Sequence, residues 1–289
     1  MTEQEFEMAG KVCLVTGATS GIGEATALEL AKRRAVVVLV GRKKEKCSQT
    51  VERIKQQTGN PAVDYLVADL SAQKEIRRVA AEFKTRQARL DVLVNNVGAV
   101  FLTRHKTADG IEMTFGLNHL SPFLLTNLLL DVLKASAPAR IINITSAILN
   151  RARLNLEDLE YRKVYDGNRA YEQSKLCNLL FTYELARRLT GQGVMVNALH
   201  PGFAATNLGK NNAGILRPFV GRINIGGISP LQAAQYVVRL SSDPELENIT
   251  SAYFINDQIS SSIASYDQEA GSLLWEISAQ KTGLGEEQI

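Results

Sequence analysis

Tyr171 and Lys175 have residue types and a spacing suited to proton transfer, because they lie four positions apart in a helical pattern. Side chains at this spacing share one face of a helix. A free tyrosine has a pKa near ~10, which is high for proton transfer at neutral pH. A nearby ammonium group favours the phenolate and lowers that pKa. The pair therefore predicts a general acid/base in which Lys175 lowers the pKa of Tyr171.

Further polar residues stand where two apolar runs end. Ser146 follows the run that begins at Arg140, and Asn95-Asn96-Val97-Gly98 follows the run that begins at Leu90. In open α/β sheets, ligands bind outside the carboxyl ends of the strands. If both runs are strands of one parallel sheet, Ser146 and Asn96 lie on the ligand-binding side.

A glycine-rich turn, Thr16-Gly17-Ala18-Thr19-Ser20-Gly21-Ile22-Gly23, separates an apolar run from a helical pattern. Glycine allows a tight turn and a close approach to a pyrophosphate, and a helix N-terminus offers unpaired N–H groups and a positive dipole. The spacing is G-x-x-x-G-x-G rather than G-x-G-x-x-G. A plain structural turn is the alternative, but the location in the first strand–helix unit favours dinucleotide binding.

The next apolar run ends in Leu39-Val40-Gly41-Arg42, and the first carboxylate after it is Glu45. A site for NAD places Asp or Glu near this point, where it hydrogen-bonds the ribose 2′-hydroxyl. Arg42 offers instead a bidentate partner for a 2′-phosphate. A solvated basic helix start is the alternative, and with the glycine turn upstream the sequence favours NADP.

The elements that must position these residues alternate between short apolar runs and longer amphipathic stretches. Seven strands are predicted: Lys11–Thr16, Ala35–Val40, Val63–Ala68, Leu90–Asn95, Arg140–Ser146, Val194–Leu199 and Ala252–Ile255. Helices are predicted between them: Gly21–Arg33, Lys43–Gln57, Ser71–Gln87, Met113–Lys134, Arg169–Leu189 and Ser229–Leu240. This alternation predicts one α/β domain over residues 1–289, with a doubly wound, mainly parallel, seven-stranded sheet.

The composition excludes several classes of protein. The chain has 289 residues, of which 45% are hydrophobic and 22% charged, which is typical of globular proteins. It has no apolar stretch near the ~18 residues that span a membrane, and its acidic N-terminus lacks a signal-like apolar region. Its three cysteines and three histidines lack metal-type spacing. We expect a cytoplasmic protein with no membrane anchor and no metal.

Positive charge is concentrated in residues 1–222, but without a nucleic-acid-binding motif we expect no nucleic-acid partner.

Taken together, these motifs resemble the short-chain dehydrogenase/reductase family over nearly the whole chain. Thr16–Gly23 is similar to the cofactor turn of that family, and Asn95–Gly98 is similar to its Asn-Asn-Ala-Gly motif. Four residues fall on its catalytic tetrad: Asn118, Ser146, Tyr171 and Lys175. Four segments resemble the retinol-dehydrogenase-like branch: Asn118–Leu120, Tyr171–Asn178, Asn197–Gly202 and Leu274–Glu276.

The resemblance implies a Rossmann-type domain and an NADP-dependent oxidoreductase that transfers hydride. It implies that Tyr171 exchanges a proton with the substrate oxygen and that Ser146 hydrogen-bonds this oxygen. Lys175 then holds the nicotinamide ribose, and Asn118 supports a water that links Lys175 to solvent. The implied cofactor-binding residues are Gly17, Thr19, Ser20, Gly21, Ile22, Gly23, Arg42, Asp69, Leu70, Asn96, Gly98, Tyr171, Lys175, Pro201, Gly202, Ala204 and Thr206. For Asp69, a capping contact with Ser71 is an equal alternative.

The segment 203–228 is predicted to cover the substrate as a lid, and its apolar Leu216, Phe219 and Val220 favour a small hydrophobic carbonyl or alcohol.

Two other functions are alternatives to this oxidoreductase. A non-catalytic NADP-binding redox sensor is disfavoured because all four tetrad positions are filled. A light-dependent protochlorophyllide reductase is favoured by little beyond Cys177.

The oligomeric state is predicted from the segment between Ser146 and Tyr171. Many relatives associate through the tyrosine-bearing helix. In this chain the segment Asn150–Asn168 is long, highly charged, and apolar on one side through residues such as Leu154 and Leu159. Such a segment can cover the helix, and charge is depleted in interface cores. We expect a monomer or a loose homodimer.

Overall fold

The computed structural model describes residues 8–203, 227–260 and 267–285. Eight strands form one sheet in the order β3-β2-β1-β4-β5-β6-β7-β8. All neighbours are parallel except β7 and β8, which are antiparallel. The strands are β1 Val12–Thr16, β2 Val36–Gly41, β3 Val63–Val67, β4 Val92–Asn95, β5 Ala139–Ile144, β6 Val194–His200, β7 Ala252–Ile255 and β8 Gln258–Ser260.

The seven predicted strands are all present, and β8 is an eighth that the sequence analysis missed. Strand β1 is buried at every position, as expected for a strand covered on both faces. By contrast, β8 has three residues and two of them are exposed, so it carries no apolar run. The predicted doubly wound, mainly parallel fold is confirmed.

Helices cover both faces of the sheet. They are α1 Gly21–Lys32, α2 Lys44–Thr58, α3 Gln73–Arg86, α4 Met113–Phe115, α5 Ser121–Leu128, α6 Leu130–Ala135, α7 Gly167–Arg188, α8 Pro230–Ser242 and α9 Gln268–Thr282. On one face α1 packs against α2 and α8, and on the other α3 packs against α5. Helix α9, which was not predicted, packs along α7 through the buried Trp275 and Leu274.

The predicted helix Met113–Lys134 is wrong as one element, because the chain forms α4, a π-helical turn at Gly116–Leu120, then α5 and α6. Pro122 explains part of the break. It has no N–H, so it cannot donate the α-helical hydrogen bond to the carbonyl of Asn118. A π turn is a common irregularity at functional sites.

The segment 150–168 lies against α7 as expected from its apolar side. Leu154 and Leu159 belong to the same apolar cluster as Leu176 of α7. One of its charges does not face solvent as the sequence suggested. Glu160 is buried, and its carboxylate accepts hydrogen bonds from Lys281 of α9 at 2.7 Å and from the backbone N–H of Glu112 at 3.1 Å. These partners hold the pKa of Glu160 below its usual value although burial opposes them.

Candidate active site

The glycine turn lies at the carboxyl edge of the sheet, where the strand order reverses between β1 and β4. Gly17 and Gly21 have φ values of 64° and 60°, in the left-handed region that favours glycine. A Cβ on Gly23 would lie 2.5 Å from Nδ2 of Asn96 and 2.7 Å from the carbonyl of Gly17. The turn therefore requires glycine at three of its predicted positions, and the backbone is open to a ligand there.

The N-terminus of α1 faces the same edge. Within residues 8–203, Ser20 is the N-cap of α1 and makes no side-chain capping hydrogen bond. The first N–H groups of the helix are thus available to an anion, and the helix dipole favours negative charge there. With the glycines of the turn, this geometry fits a dinucleotide pyrophosphate.

Asn96 supports this turn from the next strand. Its Nδ2 donates to the carbonyl of Thr16 at 2.8 Å, and its backbone N–H donates to the Thr16 hydroxyl at 2.9 Å. The carboxamide of this predicted cofactor-binding residue therefore already holds the end of β1. Asn96 shapes the cofactor turn as well as lying beside it.

Arg42 and Asp69 lie at the ends of β2 and β3, on the rim of an open cleft of about 650 Å³. Both are exposed. The Asp69 carboxylate accepts from the backbone N–H of Ser71 at 3.0 Å and from its hydroxyl at 2.8 Å, which is the capping alternative. Leu70 is buried in the apolar core.

Tyr171 and Lys175 are brought together with Ser146 as predicted. Tyr171 is buried, and the Ser146 side chain lies near enough to its phenol to lower the tyrosine pKa. The Nζ of Lys175 lies 5.7 Å from the tyrosine ring centroid and donates to the carbonyl of Ile144 at 3.0 Å. The hydroxyls of Tyr171 and Ser146 and the buried amine of Lys175 thus lie together near the end of β5.

The pKa values in this group are governed by burial. Desolvation raises the pKa of Tyr171, and the nearby Ser146 side chain opposes this only in part. Desolvation also lowers the pKa of Lys175 to about 8, because burial penalises the ammonium form. The predicted lowering of the tyrosine pKa is therefore not what the structure gives, since burial raises the pKa of Tyr171.

Asn118 is fully buried in the π turn and is joined to the loop after β4. Its carboxamide donates to the carbonyl of Ala99 at 3.0 Å and accepts from the N–H of Ala99 at 2.9 Å. It also donates to the hydroxyl of Ser174 on α7 at 3.1 Å. A Cβ on Gly98 would lie 3.3 Å from Nζ of Lys175, so this loop forms a wall of the lysine pocket.

Two residues that the sequence analysis did not assign to the site contact this group. Asn178 donates to the backbone carbonyl of Asn118 at 2.9 Å, and its Oδ1 lies 3.3 Å from Nδ1 of His119. A signal for Asn178 existed, because it is a polar residue within the apolar run 176–181 of a buried helix. His119 is buried, and desolvation lowers its pKa to about 4.

The end of β6 completes the described part of the edge. Pro201 is buried. Gly202 has a φ of 87°, and a Cβ on it would lie 2.7 Å from Cδ1 of Ile228. His200 beside them is buried, which lowers its pKa to about 4 with help from Lys175. The predicted contacts Ala204 and Thr206, and most of the predicted lid 203–228, lie outside the described residues.

The described residues contain neither a metal-type cluster nor a membrane-spanning helix. Within 8–203, 227–260 and 267–285, no three His, Cys, Asp or Glu side chains form a group that could hold a metal ion. Over the same ranges, no helix has the length and apolar character needed to cross a membrane.

Residues 11–214 match the family described as short chain dehydrogenase. The chain belongs to this family. It is 45% identical over 284 residues to retinol dehydrogenase 13 of Mus musculus, covering 95% of this chain and 84% of that protein. It is 37% identical over 284 residues to polyprenol dehydrogenase of Homo sapiens, with 95% and 86% covered.

Solved structures agree with this membership. An uncharacterised protein from Mycobacterium paratuberculosis is 30% identical with a TM-score of 0.78, and the match covers 96% of each chain. The RhlG/NADP active-site complex of Pseudomonas aeruginosa is 26% identical with a TM-score of 0.70, over 89% of this chain and 98% of that one. The predicted family is thus confirmed. The protein is an oxidoreductase that acts on CH–OH groups of small molecules with a nicotinamide cofactor.

Proposed function

We propose that this enzyme uses NADPH to interconvert a hydrophobic carbonyl compound and its alcohol, with Tyr171 as the general acid/base. The observation that carries the proposal is the placement of the buried Tyr171 beside Ser146 and the buried Lys175 at the carboxyl edge of the sheet. A bound nicotinamide would supply the hydride in reduction and accept it in oxidation.

In the reduction direction, Tyr171 donates its proton to the carbonyl oxygen and Ser146 hydrogen-bonds the same oxygen. The raised pKa of Tyr171 keeps the hydroxyl protonated at neutral pH before the reaction. As the phenolate develops, the nearby amine of Lys175 is favoured in its ammonium form, because opposite charges stabilise each other in a buried site. Asn118 acts here by position, since its carboxamide is committed to Ala99 and Ser174.

NADP is proposed over NAD because of Arg42. It lies at the end of β2 on the rim of the cleft, at the point where a site for NAD has a carboxylate. A guanidinium can pair with a 2′-phosphate through two hydrogen bonds. The P. aeruginosa structure, which is an NADP complex, supports this choice.

The hydrophobic substrate is proposed from the relatives and from the sequence. Two relatives are named for retinol and polyprenol, which are long apolar alcohols. Phe203 and Ile228 lie on either side of the stretch 204–226, which contains Leu216, Phe219 and Val220. Oligomeric state is proposed as monomer or loose homodimer, because the segment 150–168 and helix α9 both pack on α7.

A carbonyl screen tests the function. All-trans-retinal, a polyprenal and short ketones would be offered with NADPH or NADH, and loss of the reduced-cofactor absorbance would be followed. We expect turnover of apolar carbonyls with NADPH. NADPH binding without turnover of any carbonyl would favour the redox sensor instead.

Tyr171→Phe tests the role of the hydroxyl in the same assay. Only the proton donor is removed, so kcat should fall below a tenth of the wild-type value while NADPH affinity stays within about twofold. Ser146→Ala should lower kcat by about 10²–10³, the usual effect of one lost oxyanion donor. Residual Tyr171→Phe activity above a tenth would remove the general acid/base assignment.

A further inference from the structure

The backbone carbonyl of Asn118 cannot be satisfied by its own helix in the α-helical manner. That hydrogen bond would come from residue 122, which is proline and has no N–H. Asn118 is fully buried. A buried carbonyl without a partner costs about 1–3 kcal/mol, so a donor from elsewhere is expected.

The donor is Asn178 of α7, whose Nδ2 lies 2.9 Å from the Asn118 carbonyl oxygen. Asn178 is itself buried, and its Oδ1 lies 3.3 Å from Nδ1 of His119. The other ring nitrogen of His119 lies 2.9 Å from the hydroxyl of Ser278 on α9. The Nδ2 of Asn178 is therefore committed to the π turn, and its Oδ1 contacts a histidine that in turn contacts α9.

Asn118 in turn fixes the wall of the lysine pocket. Its carboxamide makes both an N–H and a carbonyl hydrogen bond with Ala99. The preceding residue, Gly98, is so close to Lys175 that a Cβ there would lie 3.3 Å from Nζ. A shift of the π turn would therefore move the backbone that confines Nζ of Lys175.

Helix α7 thus contacts the π turn on both sides of Lys175. Ser174 accepts from the Asn118 carboxamide at 3.1 Å, and Asn178 donates to the Asn118 backbone. We propose that Asn178 is a positioning residue that sets the distance between the π turn and α7, and so holds Lys175 and Tyr171 in register with the loop at Gly98–Ala99. The kinetic part of this inference rests on the proposed function.

Two variants separate the parts of the Asn178 contact. Asn178→Asp keeps the shape and the oxygen that faces His119, but places an oxygen where Nδ2 donated to the Asn118 carbonyl. Asn178→Leu removes both polar groups. Asn127→Leu is the matched control, because Asn127 is a buried asparagine of α5 whose Nδ2 donates to the backbone of Phe123 at 2.8 Å.

The first readout is amide hydrogen exchange, which needs no substrate. The N–H of Ala99 is bonded to a side chain that Asn178 positions, whereas the N–H of Leu90 is bonded to the hydroxyl of Ser136 at 2.9 Å, at the other edge of the sheet. In the Asn178 variants, Ala99 exchange should accelerate at least tenfold and Leu90 exchange should stay within twofold, because the opening is local. Unchanged Ala99 protection in a folded variant overturns the inference, whatever the activity.

The second readout is the division between kcat and KM with all-trans-retinal and NADPH. Both Asn178 variants should lose about tenfold or more in kcat, with KM for NADPH close to wild type, because misplacement by a fraction of an ångström impairs chemistry before binding. The thermal midpoint should fall by several degrees, because the Asn118 carbonyl loses its donor. Asn127→Leu should keep the wild-type kcat. Equal losses in kcat and NADPH affinity would mark a general structural defect and reject the positioning role. Lack of turnover by the wild-type enzyme would count against the proposed function, while the exchange result still decides on Asn178.

Discussion

Gly23→Ala is a sharp test of the cofactor turn, because the structure gives the size of the clash. The added Cβ would lie 2.5 Å from Nδ2 of Asn96 and 2.7 Å from the carbonyl of Gly17, and real Cβ atoms essentially never come this close. To make room, either the N-terminus of α1 must shift or Asn96 must release the Thr16 carbonyl that it holds at 2.8 Å.

The magnitude follows from two opposed effects. Overpacking of this kind costs about 1–3 kcal/mol, while replacing a helical glycine by alanine returns up to about 1 kcal/mol. We expect Gly23→Ala to lower the free energy of unfolding by about 1–2 kcal/mol. NADPH affinity should fall at least tenfold, because the displaced groups form the pyrophosphate turn.

Gly271→Ala is the matched control in α9. Its Cβ would meet only ordinary contacts, at 3.9 Å from Glu184 and from the carbonyl of Leu180. It should raise the free energy of unfolding by about 0.5–1 kcal/mol and leave NADPH affinity unchanged. Urea unfolding and NADPH fluorescence titration measure both variants. If Gly23→Ala is as stable as wild type and binds NADPH within twofold, the turn is not confined as described.

Three other predictions concern cofactor choice, acid stability and association. Arg42→Ala should weaken NADPH binding at least tenfold and leave NADH binding nearly unchanged in calorimetric titrations; equal losses would refute the phosphate contact. The stability that Glu160 contributes exists above the ordinary glutamate pKa of 4.5 and is lost as pH falls below it, because its folded-state pKa is lowered. The urea midpoints of wild type and Glu160→Gln should therefore differ at pH 7 and converge on acidification, and a constant gap would contradict the assignment. Sedimentation at micromolar concentration should show a monomer or loose dimer, and a single tetrameric species would show that segment 150–168 and α9 leave the α7 face open.

The strands were predictable because a parallel sheet covered on both faces selects continuous apolar runs, such as Val36–Gly41. The proximity of Tyr171, Lys175 and Ser146 was predictable because Tyr171 and Lys175 are one helical turn apart and Ser146 follows the end of β5. Their electrostatics were not predictable from this spacing. The depth of burial decides the pKa of Tyr171, and only the packed structure provides it.

The break in the helix after Met113 was harder to predict. The run Phe123–Leu133 is apolar on nearly every side, so it gives no helical period that would locate an end. Pro122 was the available signal, since it removes a donor in the middle of the pattern. The burial of Glu160 was also missed, because a charged residue in a charged segment is expected to be exposed. Its carboxylate is paired with Lys281, more than a hundred residues away, and nothing in the sequence indicates this contact.

The contacts of Ser278 with Leu274 and His119, and of His119 with Asn178, would need three donated protons. The Ser278 hydroxyl and the neutral His119 ring together have two. The Ser278 hydroxyl lies 2.7 Å from the Leu274 carbonyl and 2.9 Å from His119, but it carries a single proton. At neutral pH the His119 ring is neutral and also carries one, because burial lowers its pKa to about 4. When the Ser278 hydroxyl donates to the Leu274 carbonyl, the ring proton of His119 lies on Nε2, where it donates to the Ser278 oxygen. The lone pair on Nδ1 then faces the Asn178 oxygen, which is unfavourable. The tautomer of His119 therefore depends on the orientation of the Ser278 hydroxyl on the C-terminal helix. The two change together.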